Sequence, residues 1–112
     1  MPADPVAVVA RQLAAYNAHD LGAFVACYAE DVRIWHPPAP EPVLEGRDAL
    51  AQFYRTKRFC LPQLRAELAT RIVLGDRVID HERVHGLAEG TVTEVLAVFQ
   101  VKDGLIADVW FF

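Results

Sequence analysis

Apolar positions fall into two regimes along the chain. From Val6 to about Arg58 they recur every three or four residues, and from Leu64 onward every second residue. Asp4 is placed to cap a helix whose first turn holds Pro5, and Val6, Val9, Ala10, Leu13 and Tyr16 form one stripe of it down to about Ala18. Asp20 caps a second, short helix with Leu21, Phe24, Val25 and Tyr28 on one face before Glu30-Asp31 breaks the pattern. The β-branched and aromatic run Val32 to His36 predicts a strand, because Pro37-Pro38-Ala39-Pro40-Glu41-Pro42 behind it cannot continue a hydrogen-bonded ladder. After Gly46, Leu50, Phe53 and Tyr54 return at helical spacing and predict a third helix ending near Arg58.

Beyond Pro62 the period is two. Leu64, Ala66, Leu68, Thr70, Ile72 and Leu74 alternate with Arg65, Glu67 and Arg71, which predicts a long strand with one apolar and one wet face. Gly75-Asp76 turns the chain into a strand from Arg77 to His85, and a third β segment runs from Thr91 to Val101. Asp103-Gly104 then signals a tight hairpin into Leu105 to Phe112. Helices followed by an antiparallel meander make the class α+β.

At 112 residues the chain is expected to be one domain, 1–112. With 54% apolar residues it has the material for a core, yet no apolar run approaches the roughly 18 residues of a membrane span. Eleven basic against fifteen acidic residues give a net charge of −4, and the basic ones are scattered. That pattern lacks the footprint of a nucleic-acid binder and points to a small organic partner. Met1 to Pro5 carry no basic segment followed by an apolar one, so a cytoplasmic location is expected. Cys27 and Cys60 are then expected to be buried thiols, although their spacing leaves a bridge between them open.

Four segments carry a family resemblance: Ala15-Tyr16-Asn17-Ala18-His19-Asp20, Tyr28-Ala29-Glu30-Asp31-Val32, Glu45-Gly46-Arg47-Asp48-Ala49-Leu50, and Phe99-Gln100-Val101-Lys102-Asp103-Gly104-Leu105-Ile106. With the element order, they resemble the nuclear transport factor 2-like superfamily, most of all its SnoaL-like, ketosteroid isomerase-like and limonene epoxide hydrolase-like branches. The resemblance implies a cone-shaped, strongly bent antiparallel sheet packed on three N-terminal helices, a cystatin-like roll around a pocket. It further implies chemistry without a cofactor; a homodimer is expected from the apolar outer face of the sheet. His36 before Pro37 occupies the place where ketosteroid isomerases carry a catalytic aspartate, while the partners of their oxyanion hole fall near Gln12 and Ala97. The segment Glu82-Arg83-Val84 is similar to the one that supplies the bridging arginine in limonene epoxide hydrolases; the two aspartates of that site fall on His85 and near Phe111.

Alternation on strands turns these matches into an expected site. If Arg83 faces the pocket, so does His85, together with Ile79 and His81, while Val78, Asp80, Glu82 and Val84 face away. Parity anchored on Ala97 sends Thr93, Val95 and Phe99 inward, and Ala107, Val109 and Phe111 on the last strand. Leu96, Val98, Trp110 and Phe112 then lie on the opposite face, too apolar for water and suited to a subunit interface. Tyr16, Phe24, Tyr28, Phe53 and Phe59 are expected as aromatic pocket walls. The expected catalytic residues are His36, Arg83 and His85: an imidazole with an ordinary pKa near 6.5 suits a general base at neutral pH, and Arg83 and His85 would orient or stabilise an oxygen.

His81-Glu82-Arg83-Val84-His85 also spells the zinc peptidase string HExxH. That chemistry requires a helix, and on a strand the two imidazoles stand about 13 Å apart with the glutamate on the other face. The expected function is therefore cofactor-independent proton transfer on a small, mostly apolar carbonyl compound. A non-catalytic ligand-binding or dimerisation module is the alternative, and a zinc peptidase the remote one.

Overall fold

The structure is a computed structural model that describes residues 4–112. It contains α1 (Pro5–Asn17), α2 (Leu21–Val25), β1 (Tyr28–Trp35), β2 (Leu44–Glu45), α3 (Arg47–Lys57), β3 (Arg65–Leu74), β4 (Arg77–His85), β5 (Val92–Lys102) and β6 (Leu105–Phe111). The capping aspartates act as the sequence suggests: Asp4 accepts from the Val6 amide at 3.0 Å and Asp20 from the Ala23 amide at 3.1 Å. Among the described residues no helix is long and apolar enough to cross a membrane. Met1, the start of the expected leader-free segment, lies outside the described residues.

The strands form one six-stranded, open sheet in the order β2-β1-β6-β5-β4-β3. Its architecture is the α+β cone of the nuclear transport factor 2-like and cystatin-like folds, but the sheet is mixed: β1 runs parallel to β6, with Ile34 beside Val109 and Trp35 beside Trp110. Alternation cannot reveal this pairing. The two strands are joined through most of the chain, so no tight turn fixes their relative direction.

Three local expectations are corrected. Tyr28 does not continue the second helix but opens β1, because the Cys27 carbonyl accepts the Ile106 amide at 2.9 Å and draws the chain into the sheet. The proline segment ends in the short strand β2, whose entry is fixed by the Val43 amide on the Ile34 carbonyl at 2.8 Å. Cys60 is exposed rather than buried, whereas Cys27 is buried; both are free thiols.

The fourth correction concerns β3 and matters for the site. A bulge between Leu68 and Thr70 inserts one residue, so the even-numbered stripe changes face halfway along. Ala66 lies on the helix-covered face, while Ile72 and Leu74, expected on that stripe, are 57% and 68% exposed on this edge strand. Arg71 turns inward as a result, opposite Asp80 of β4.

The helices cover one face of the sheet. Val8, Val9, Phe24, Tyr28, Leu50, Val78, Ala97, Phe99, Ile106 and Val109 form the core between the layers. Asn17 ties α1 to β3 by a two-way hydrogen bond with the Ala66 backbone at 2.7 and 3.0 Å, and the His19 ring contacts the Leu64 carbonyl at 2.8 Å. Leu96, Val98 and Trp110 lie on the uncovered face, near Asp108, which holds Arg33 at 3.0 Å and Trp35 at 3.1 Å.

Candidate functional site

A cavity of about 570 Å³ opens between α1, α3 and the inner sheet face. Its depth is set by strand parity. Directly paired residues of antiparallel strands share a face, and β4 pairs with β5 so that Val78 meets Phe99, Asp80 meets Ala97, Glu82 meets Val95 and Val84 meets Thr93. The inward set of β5 is the expected one, and it carries with it the opposite set of β4. Arg83 and His85 therefore point away from the cavity, contrary to expectation. Arg83 pairs with Glu94 at 3.3 Å, its side chain 45% exposed, and His85 pairs with Glu67 at 3.3 Å. Two valines on the face of Asp80 and Glu82, against Ile79 alone among His81, Arg83 and His85, were the signal for this orientation; the likeness to an arginine-bearing segment outweighed it. The HExxH string lies on β4 as a strand, with both imidazoles outward and the glutamate inward.

Glu82 is the residue the sequence reading passed over. It lines the cavity and is 8% exposed. Burial, reinforced by the neighbouring Asp80 carboxylate and opposed by Arg71, pushes its carboxyl from the ordinary 4.5 up to about 7. Arg71 cannot neutralise it fully, being committed to Asp80 by a fork of two hydrogen bonds at 2.7 and 2.9 Å. Asp80 itself is fully buried, which explains why the bulge that brings Arg71 inward accompanies it.

Two phenols share the cavity with Glu82. Tyr16 of α1 and Tyr54 of α3 stand edge to face, ring centroids 6.3 Å apart. Burial holds both hydroxyls protonated: Tyr54 is pushed up to about 12 and Tyr16 higher still, with the Glu82 charge adding to each effect and Arg58 opposing it. Arg58 also lines the cavity and lies 4.9 Å over the Phe53 ring. Gln12, one helical turn before Tyr16, contributes a buried amide. At the mouth, His36 is exposed and stacks on Phe111 at 5.7 Å.

The cavity thus brings together Tyr16, His36, Phe53, Val95, Phe99 and Phe111 of the expected site. Phe24, Tyr28 and Phe59 belong instead to the aromatic cluster behind Tyr16 and Tyr54, with Phe24 4.6 Å from the Tyr54 ring; Ala97 and Val109 are fully buried beneath the floor. Tyr54 and Arg58 were passed over together with Glu82, since a helical stripe shows which residues are buried but not which of them edge a void.

Residues 9–109 match the family model of the SnoaL-like domain. No curated protein sequence matches the chain. An uncharacterized cystatin-fold protein from Novosphingobium aromaticivorans superposes with a TM-score of 0.84 at 22% identity, covering 98% of both chains. A polyketide cyclase, provisionally so named, from Sinorhizobium meliloti gives a TM-score of 0.81 at 20% identity over 98% of this chain and 100% of its own. A provisionally named ketosteroid isomerase from Kribbella flavida gives 0.82 at 20% identity over 96% of this chain and 76% of its own. Likeness at this level of identity establishes the fold.

Proposed function

Since the chain belongs to the SnoaL-like domain family, we propose that it moves a proton on a small, mostly apolar carbonyl compound held in the cavity, without a cofactor. The observation that carries this reading is the Glu82 carboxyl, buried against the cavity with a pKa of about 7. A general base works best when its proton affinity lies near the operating pH, and burial has brought a carboxylate there. Glu82 takes the proton adjacent to the carbonyl. The hydroxyls of Tyr16 and Tyr54, kept protonated, donate to the oxygen as it gains charge, and Arg58 adds a cation beside them. His36 contacts the outer end of the ligand at the mouth and takes the place of a rim residue rather than of the base.

The test uses 2-tetralone, a two-ring ketone with exchangeable protons beside the carbonyl. Its deuterium uptake in D₂O is followed by NMR with and without the protein. The protein should accelerate exchange, the rate should rise with pH through about 7, and Glu82→Gln should lower it by about 10²-fold or more. Exchange at the buffer rate, or exchange indifferent to Glu82→Gln, defeats the proposal.

We propose further that a second copy of the chain covers the outer sheet face at Leu96, Val98 and Trp110, with Leu96 38% exposed in the isolated chain; Phe112, expected on that face, edges the cavity instead.

A further inference from the structure

The cavity holds a fixed cation that the fold leaves without a counter-ion. Arg58 is the one lysine or arginine among the described residues that line it. Arg33, Arg71 and Arg83 each hold a carboxylate, those of Asp108, Asp80 and Glu94. Arg58 pairs with none among the described residues: its Nη1 donates to the adjacent Lys57 carbonyl at 3.0 Å, and its guanidinium lies over the Phe53 ring. The Nε–Nη2 edge, the one with which Arg71 grips Asp80, is left without an acceptor. Neither of those nitrogens is occluded, since the only buried side-chain nitrogens and oxygens lacking a partner among the described residues are Gln12 Oε1 and Arg47 Nε. A half-buried guanidinium is always charged and is costly to leave unpaired.

We propose that Arg58 is a specificity-determining residue whose free edge binds a carboxylate of the ligand, so that the compound taken into the cavity is a keto acid with its carbonyl between that carboxylate and the carbon Glu82 deprotonates. The acids of the lining do not compete for the place. Glu94 is committed to Arg83 and His81 on the outer face, and the charges that act on Glu82 are those of Asp80 and Arg71. The two phenols feel both ends of the cavity, for Arg58 lowers and Glu82 raises the pKa of each hydroxyl. The order acid, phenols, cation is the order in which such a ligand offers its C–H, its carbonyl oxygen and its carboxylate. A neutral ketone would enter the same cavity but leave the guanidinium unpaired, and discrimination of this kind is far stronger than discrimination by shape alone.

The inference rests on the proposed function in taking this cavity as the substrate site, and its test reads binding without turnover. The probes are 2-naphthoate and 2-naphthamide, planar and of nearly equal size, the first an anion and the second neutral. Calorimetric titration is run near pH 6, below the Glu82 pKa of about 7, so that the acid end carries little charge. The wild type should bind 2-naphthoate about tenfold tighter than 2-naphthamide, the worth of a charge-assisted contact. In Arg58→Met the preference should vanish or reverse, because a carboxylate costs more to desolvate than an amide. Arg58→Lys, which keeps the charge and loses the fork, should retain part of it, and Lys57→Met, outside the lining, all of it. The affinity for 2-naphthamide reports whether the cavity survives each substitution, and Arg58→Lys carries the test if Arg58→Met loses it. Equal affinities in the wild type, a preference that survives Arg58→Met, or one lost equally in Lys57→Met each overturn the proposal. None of these results touches the deuterium exchange of neutral 2-tetralone, which stands or falls on Glu82, and a failed exchange leaves the naphthoate comparison intact.

Discussion

Replacing Glu82 by glutamine should make the protein more stable at neutral and alkaline pH, and the size of the gain follows from the site. In the unfolded chain the carboxyl titrates at 4.5, and in the folded chain at about 7. Below 4.5 both states hold the proton and the group is neutral toward folding. Between the two values the folded state keeps a proton that the unfolded state has released, so stability falls by about 1.4 kcal/mol per pH unit. Above the folded value both states are ionised, and the accumulated loss is constant at about 3 kcal/mol. Glutamine does not titrate. The Glu82→Gln variant should therefore match the wild type, within a constant offset, near pH 4.5 and exceed it by about 3 kcal/mol more above pH 8. Urea unfolding at half-unit steps from pH 4.5 to 8.5 measures this. His81 and His85 lie on the outer face and are present in both proteins, so their contribution cancels in the difference between variant and wild type. A difference that stays flat across the range would refute the burial of an ionisable Glu82 and with it the basis for its role as base.

Other outcomes follow from the same geometry. Arg71→Met should destabilise by about 3 kcal/mol in chemical denaturation, because the fully buried Asp80 loses its fork, and the double variant with Asp80→Leu should recover most of it; an additive double variant contradicts the coupling. Gly86→Ala should cost more than about 2 kcal/mol, since at φ +82° the new methyl would stand 2.3 Å from the Gln63 carbonyl oxygen, whereas Gly90→Ala meets nothing within 4 Å and should cost about 1 kcal/mol; equal losses in thermal melts would refute the close approach. Arg83→Ala and His85→Ala should leave 2-tetralone exchange unchanged and stability within about 0.5 kcal/mol, and a tenfold loss of exchange in either would return them to the site. Trp110→Lys should turn a dimer into a monomer in analytical ultracentrifugation, and a wild type that sediments as a monomer removes the proposed outer interface.

The elements were legible wherever local physics dominates. Asp4 and Asp20 cap helices because their carboxylates satisfy free amides two or three residues on, and nothing distant competes with that. The Asp103-Gly104 turn joins β5 and β6 with Asp103 at φ +52° and Gly104 at φ +79°, a conformation those two residue types tolerate. Where long-range pairing decides, the pattern misleads. Tyr28 fits the stripe of α2, but strand pairing with β6 claims it. The same limit hides the parallel β1–β6 contact, since the residues that meet there lie far apart in sequence.

The inward face of β4 was misassigned for a more specific reason. Alternation tells which residues share a face of a strand, but not which face is covered, and that second fact comes only from register with a neighbour. Ala97 was assigned inward correctly. Pairing Asp80 with Ala97 and Glu82 with Val95 would have carried the whole of β4 to the right side. The hydrophobic signal for that register is weak because two acids occupy inward positions, one paired with Arg71 and the other pushed up to about 7 by burial. A strand that places carboxylates where valines belong departs from the binary pattern at the cavity where we propose the chemistry, and Gln12 does the same on α1. The bulge in β3 completes the arrangement: without the extra residue Arg71 would face water, Asp80 would lack its partner, and the charge balance that fixes Glu82 would be different. Gln12 on α1 and Glu82 on β4 break periodicity at the cavity itself, and the bulge in β3 supplies Arg71 to the Asp80 beside Glu82; that convergence is the strongest ground for reading the cavity as a place of function rather than a packing defect.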